Sequence, residues 1–378
     1  MLKQYFIIFL VLGLIGCKDI QKSPSLNLDI KPKLNINYAK GFEINYFESY
    51  KVITLNNPWP GADVVFKYAL IEENAILPTS EKFDAIIKIP VSKVVVTSTT
   101  HIPSLEMLGA SEALVGFPNL DYISSETTRK RINDGKITEL GKNEDMNTEV
   151  LIDLSPNLVV GFAVDGNNSA LSTIEKTGIP VVYNSDWTET TPLGKAEWIK
   201  FFGAFFNKEK LADSIFNNIE NQYNVAKQSA SKAGVKPNVL SGAMYRDIWY
   251  LPQGNSWAAQ LINDANGNYL WNDSKGTGSL SLNLESVLDK AQAADFWIGP
   301  GQFTSLEQMT ETHSVYSEFD AFKESNVYSF TNKKGATGGV LYYELAPNRP
   351  DIVLKDIIKI LHPELLPAHE LYFFSHLE

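Results

Sequence analysis

The chain has 378 residues, 44% of them hydrophobic and 20% charged, with 33 Lys plus Arg against 44 Asp plus Glu and a net charge of −11. That composition excludes disorder and fibrous repeats, and the length suits two domains or one two-lobed body. The acidic balance argues against nucleic acid as a partner.

The chain opens with Lys3 and an apolar run from Tyr5 to Ile15, followed by Gly16-Cys17. A short positive start, a hydrophobic stretch too short to span a bilayer comfortably and a small residue before the cut are the layout of a secretory signal, here residues 1–16. Leu14-Ile15-Gly16-Cys17 also resembles the lipobox of bacterial lipoproteins, which implies lipidation of Cys17 and an exported protein anchored to a membrane of the cell envelope. Cys17 is the only cysteine, so an internal disulfide framework and a cysteine-built metal site are excluded. The polar, Pro-containing residues that follow suit a flexible tether, 17–41.

Residues 42–90 read as strands. Phe42-Glu43-Ile44-Asn45-Tyr46 alternates, 51–55 and 62–71 are rich in β-branched and aromatic residues, and Asn56-Asn57-Pro58-Trp59-Pro60-Gly61 between them is a dense turn signal. An antiparallel hairpin or small sheet is predicted. Over 91–190 short apolar strands such as Val94-Val95-Val96 alternate with helical stretches, as in a parallel α/β lobe. The next segment, 191–234, has no Gly or Pro between Gly203 and Gly234 and keeps apolar residues near helical spacing, with Thr191-Pro192 as its start. One helix about 60 Å long is predicted there, a stiff strut that would limit lobe closure. Strand and helix alternation resumes over 235–378 and ends in a helix from Pro350 to Leu361.

The two halves echo each other. Asn147-Thr148-Glu149-Val150-Leu151-Ile152-Asp153 with Asn157 to Gly161 lines up with Asn283-Leu284-Glu285-Ser286-Val287-Leu288-Asp289 with Asp295 to Gly299. Each reads as an Asn-capped helix with Glu in its first turn, feeding a buried strand. Asn-x-Glu is good helix-start chemistry by itself; its repetition in two lobes also allows a symmetric use of the glutamates.

With Lys93 to Ser98, Pro103 to Ala110, Leu114-Val115-Gly116 and Met146 to Ile152, these stretches resemble the substrate-binding proteins of bacterial ABC importers for iron chelates, haem and vitamin B12. The resemblance covers about Lys93 to Leu361. It implies two α/β lobes joined by one long helix, no enzymatic activity and no resident cofactor. It further implies a monomer that binds a small metal chelate between its lobes, with Glu149 and Glu285 docking on an ABC permease. Residues 42–90 fall outside that pattern.

Ligand contacts are expected at the C-terminal ends of the strands. By position these are Thr100, His101 and Trp187 in the first lobe, and Tyr245, Arg246, Trp249, Trp257, Trp271 and Tyr343 in the second. Loop-borne aromatics suit a flat or catecholate-like ligand, with Arg246 for a carboxylate or an anionic chelate. Each aromatic could equally be packing, Arg246 could pair with Asp247, and His101 could be a satisfied loop histidine. An iron chelate of the siderophore or ferric citrate type is the first expectation, ahead of cobalamin or haem.

The five histidines are scattered without a His-Glu-x-x-His, so no direct metal site is expected. Asp165-Gly166-Asn167-Asn168-Ser169 lacks the Gly and Glu of a calcium loop. The rival class is an exported hydrolase with paired carboxylates, although no Gly-x-Ser-x-Gly, Ser-x-x-Lys or phosphate loop is present.

Overall fold

A computed structural model describes residues 33–378 apart from 74, 163 and 167. The expected signal peptide, Cys17 and the tether up to 32 lie outside the described residues.

Strands β1 (Phe42–Tyr46), β2 (Tyr50–Asn56), β3 (Val65–Ile71) and β4 (Ala85–Lys88) form one sheet in that order. The first three run antiparallel, and β4 is parallel to β3. Ile53, Leu55, Tyr68, Leu70 and Ile87 join the core of the first lobe, whereas Glu43, Asn45, Lys67 and Lys88 face water. The predicted hairpin is thus part of a four-stranded sheet that shares the first lobe's core.

The N-lobe runs β5 (Val94–Val96), α1 (His101–Met107), β6 (Leu114–Phe117), α2 (Glu126–Asn133), β7 (Thr138–Glu139), the hairpin β8 (Gly141–Lys142) and β9 (Asp145–Met146), α3 (Thr148–Leu154), β10 (Leu158–Phe162), α4 (Ser169–Lys176) and β11 (Val181–Asn184). Its sheet is parallel, in the order β11-β10-β5-β6-β7. Val94 to Val96 and Val159 to Val160 are fully buried, which is why these strands read as unbroken apolar runs.

The predicted single strut is three helices: α5 (Pro192–Glu197), α6 (Ile199–Phe205) and α7 (Glu209–Ala230). The 60 Å helix is therefore corrected to α7, 22 residues long, which at 1.5 Å per residue spans about 33 Å. Every residue of α6 is buried, and a Cβ on Gly203 would stand 2.7 Å from Cβ of Ala212, so α6 and α7 press together and the chain must turn between them. Asn207 makes that turn at φ 54°. Helix α7 still bridges: Ala212, Phe216 and Ile219 belong to the N-lobe core, Tyr223, Ala226 and Ala230 to the C-lobe core. The stiffness argument for limited closure loses its continuous helix.

The C-lobe runs β12 (Asn238–Ser241), β13 (Ala243–Tyr245), β14 (Ile248–Pro252), α8 (Trp257–Asp264), β15 (Asn268–Tyr269), β16 (Ser279–Leu282), α9 (Leu284–Ala291), β17 (Phe296–Ile298), α10 (Leu306–Thr312), α11 (Asp320–Lys323), β18 (Val327–Ser329), α12 (Leu341–Leu345), α13 (Pro350–Leu361) and β19 (Ser375–His376). Its main sheet has the order β15-β12-β17-β18-β19, with β19 antiparallel at the edge, and β13, β14 and β16 form a separate antiparallel sheet.

The sequence echo has a structural counterpart. Asn147 Oδ1 accepts the Val150 N–H at 3.1 Å and Asn283 Oδ1 accepts the Ser286 N–H at 2.9 Å. The capped helices lead to β10 and β17, each parallel to the first strand of its lobe's main sheet, β5 or β12. Glu149 and Glu285 are both exposed on the first turns of these helices.

Residues 34–41 are not a flexible tether. The N–H groups of Asn37, Tyr38 and Ala39 donate to the buried Glu197 carboxylate, and those of Lys40 and Gly41 donate to Glu189. Two deep acceptors fix the backbone before β1 begins.

Candidate functional site: the cleft between the lobes

Parallel sheets present their sites at the C-terminal ends of the strands, where the backbone leaves the ladder and loops are free to diverge. On the N-lobe that end carries Thr97 to Thr99 after β5, Phe117 of β6 and Phe162 of β10. On the C-lobe it carries Gly242 after β12, Gly299 to Gln302 after β17, and Phe330 after β18. Two cavities lie there. One, of about 430 Å³, is lined by C-lobe residues including Met244, Trp257, Phe303, Phe330, Tyr342 and Phe374. The other, of about 260 Å³, lies between the N-lobe strand ends and Gly339, Val340 and Tyr343. They adjoin where Gln302, lining the first, donates its Nε2–H to the Tyr343 hydroxyl of the second at 3.1 Å.

The C-lobe half is an aromatic wall. Phe330 stacks on Tyr342 at 4.3 Å and 17°, and Tyr342 on Trp257 at 5.9 Å and 30°. Behind Trp257 the Lys195 ammonium sits 5.6 Å from the ring centroid and donates to the Asp186 and Trp187 carbonyls at 3.1 and 3.0 Å. Burial lowers the Lys195 pKa, opposed by Asp186 and Glu189. The N-lobe half sets the uncharged polar groups of Thr97, Ser98, Thr99 and Asn143 beside Phe117 and Phe162. Among the described residues no Asp, Glu, Lys, Arg or His lines either cavity. A third and larger cavity, about 930 Å³, lies off the strand ends, with α1 and α2 residues facing Asn332 to Ala336 across it.

Of the predicted contacts, Tyr245 and Trp257 line the C-lobe cavity and Tyr343 the N-lobe one. Thr100 is half-buried and turns its carbonyl to Asn348 Nδ2 at 2.9 Å, while the three residues before it line the cleft. Trp187 is not among the lining residues of either cavity; its ring is T-shaped to Phe162 at 5.8 Å. Arg246 is exposed at the tip of the β13–β14 hairpin at φ 57°, beside the Tyr245 ring, and is not among the lining residues. Trp249 and Trp271 are core. Trp249 is fully buried against Trp297 at 5.3 Å, and its indole N–H donates to the Ser241 carbonyl. His101 is also buried, its ring 5.4 Å from Phe202, and burial lowers its pKa to about 4, so it is neutral and faces the N-lobe core, not the ligand space.

Sequence reasoning passed over Met244, Phe303, Phe330 and Phe374. Their signal was present, since Phe330 follows β18 as Thr97 follows β5, but a strand of three residues was too short to be read.

The profile of the family described as periplasmic binding protein matches residues 94–333, well over half of the chain. The chain belongs to the periplasmic binding protein family. Proteins of this family bind their substrates and are not enzymes. Among solved structures it is similar to a possible iron-binding, periplasmic solute-binding protein from Staphylococcus epidermidis, with a TM-score of 0.57, 17% identity and coverage of 72% of this chain and 99% of that one. A periplasmic haem-binding protein from Pseudomonas aeruginosa has a TM-score of 0.57 at 15% identity, covering 76% and 98%. An uncharacterised lipoprotein of Methanocaldococcus jannaschii is 27% identical over 298 residues, covering 76% of this chain and 69% of that protein. In this periplasmic binding protein the sequence motifs from Val94 to Ile152 fall within the matched region, whereas β1 to β4 precede it. Among the described residues no helix is long and apolar enough to cross a membrane.

Proposed function

We propose that the protein captures an iron chelate in the interlobe cleft and delivers it to an ABC permease, held at the membrane by a lipid on Cys17. The observation that carries the reading is the composition of the cleft: an aromatic wall on one side, uncharged hydroxyl, amide and aromatic groups on the other, and, among the described residues, no Asp, Glu, Lys, Arg or His between them. Burying a dense charge without a counter-charge costs several kcal/mol. The preferred cargo is therefore a ferric chelate of low net charge, such as a hydroxamate complex, over ferric citrate or a catecholate. The stacked wall of Phe330, Tyr342 and Trp257 also suits a flat macrocycle, which keeps haem or cobalamin as the second reading.

Delivery rests on Glu149 and Glu285. A two-fold permease presents two equivalent basic patches, and two exposed carboxylates on equivalent helix starts meet them symmetrically. The test is titration of the soluble chain with a ferric hydroxamate, ferric citrate, a ferric catecholate, haemin and cyanocobalamin, followed by tryptophan fluorescence. Saturable one-site quenching by the hydroxamate, or by a macrocycle, supports the reading. Saturation by ferric citrate alone overturns the low-charge cargo, and consumption of the ligand overturns the carrier role.

A further inference from the structure

The four-stranded sheet over residues 42–88 sets its β2–β3 connection against the first lobe. The β2–β3 connection brings the Trp59 indole to 5.8 Å from the Tyr183 ring on β11, nearly perpendicular, and to 6.3 Å from Phe66 on β3. The same indole lies over Gly166, where an added Cβ would stand 3.2 Å from Cζ2 of Trp59. Gly166 belongs to the connection that leaves β10 at Phe162 and enters α4 at its cap, Asn168. Phe162 lines the N-lobe cavity, and its N–H donates to Thr97 Oγ1 at 2.8 Å, another cavity-lining residue.

We propose that Trp59 is a positioning residue for the cleft: it braces the β10–α4 connection at Gly166 from outside and so fixes Phe162 and its partner Thr97 on the N-lobe side of the ligand site. This rests on the cleft being the ligand site. Three features make the contact a brace. Trp59 is half-buried and anchored on two aromatic rings of rigid strands, so it has a fixed platform. Its target is a glycine with ordinary φ, so the missing side chain serves close approach and not backbone freedom. The strands carrying it share the N-lobe core through Tyr68, whose hydroxyl accepts the Tyr183 N–H at 3.2 Å. A small displacement of a site residue is enough to weaken binding. The sheet that stands outside the matched family region thus acquires a role in the site without touching the ligand.

The experiment uses Trp59→Ala, Trp59→Phe and Gly166→Val in the chain without its signal peptide, with two readouts. The first is hydrogen exchange of the Phe162 amide in the ligand-free protein, which needs no ligand. The second is affinity, by calorimetry, for whichever of the ferric hydroxamate, haemin or cyanocobalamin the unaltered protein binds. Trp59→Ala and Gly166→Val are expected to speed Phe162 exchange and weaken binding about tenfold, with Trp59→Phe close to the unaltered protein. Should Trp59→Ala fail to fold, Gly166→Val tests the same contact from the other side. Unchanged Phe162 exchange, or affinity within twofold in Trp59→Ala, overturns the brace. Failure of the unaltered protein to bind any of the three ligands counts against the cleft reading, and the exchange result then decides the brace alone.

Discussion

Glu344 of α12 places its carboxylate on two successive backbone N–H groups of the other lobe, Ser124 at 2.6 Å and Ser125 at 3.0 Å. It is one of the direct links between lobes, beside Thr337 on the Asp121 carbonyl and Asn348 on Ser104 and Thr100. Glu106 of α1 reaches the same end of α2, taking the hydroxyls of Ser125 and Thr128. Burial, with a lesser push from Glu106, lifts the Glu344 pKa to about 7 in spite of the two N–H donors.

That shift sets a pH dependence. The folded state holds the Glu344 proton more tightly than the unfolded chain, so this group favours folding below its ordinary range near 4.5, and the benefit is lost as pH rises through 7. Glu344→Gln removes the titration. Denaturant melts at pH 5 and pH 8 are expected to give the variant a stability relative to the unaltered protein that improves by about 1–3 kcal/mol at the higher pH. An equal difference at both pH values counts against it.

Glu197 is the keystone of the N-terminal segment, fully buried, 3.0 Å from the Lys200 ammonium and accepting three backbone N–H groups. Without Glu197, Lys200 keeps the Asn35 carbonyl at 2.7 Å and, as its remaining counter-charge, the half-exposed Asp213 at 3.3 Å. Glu197→Ala is expected to cost about 3–5 kcal/mol, since it strands a buried cation. Glu197→Gln, which retains an acceptor, is expected to cost less. Limited proteolysis should then cut within 33–41 in the alanine variant; resistance there would mean that other contacts hold the segment.

Arg246 stands at a hairpin tip outside the cavity lining. Arg246→Ala is therefore expected to change ligand affinity by less than about threefold, against tenfold or more for Trp257→Ala, whose half-buried ring is part of the cavity wall. Calorimetry on both variants decides, and a larger loss for Arg246→Ala would return the anionic chelates to first place.

Glu149→Arg with Glu285→Arg reverses two exposed charges on capped helix starts and leaves the cleft untouched. Uptake by cells carrying the double variant is expected to fall to background while ligand binding by the purified protein stays within twofold. Normal uptake would remove these residues from the docking surface.

The sequence by itself determined what is local. Asn147 and Asn283 announced two capped helix starts, Pro350 the start of α13, and runs such as Val94-Val95-Val96 the strands of a parallel sheet, because caps, prolines and apolar runs act through neighbouring backbone. The tertiary structure decided what depends on partners. Periodicity marked 191–234 as helical, but the close packing of Gly203 on Ala212 required a turn at Asn207. The same holds for the site. Trp249, Trp257 and Trp271 are equivalent in sequence, yet only Trp257 faces the cleft, because a side chain's chemistry says that it needs cover and the fold alone says what covers it.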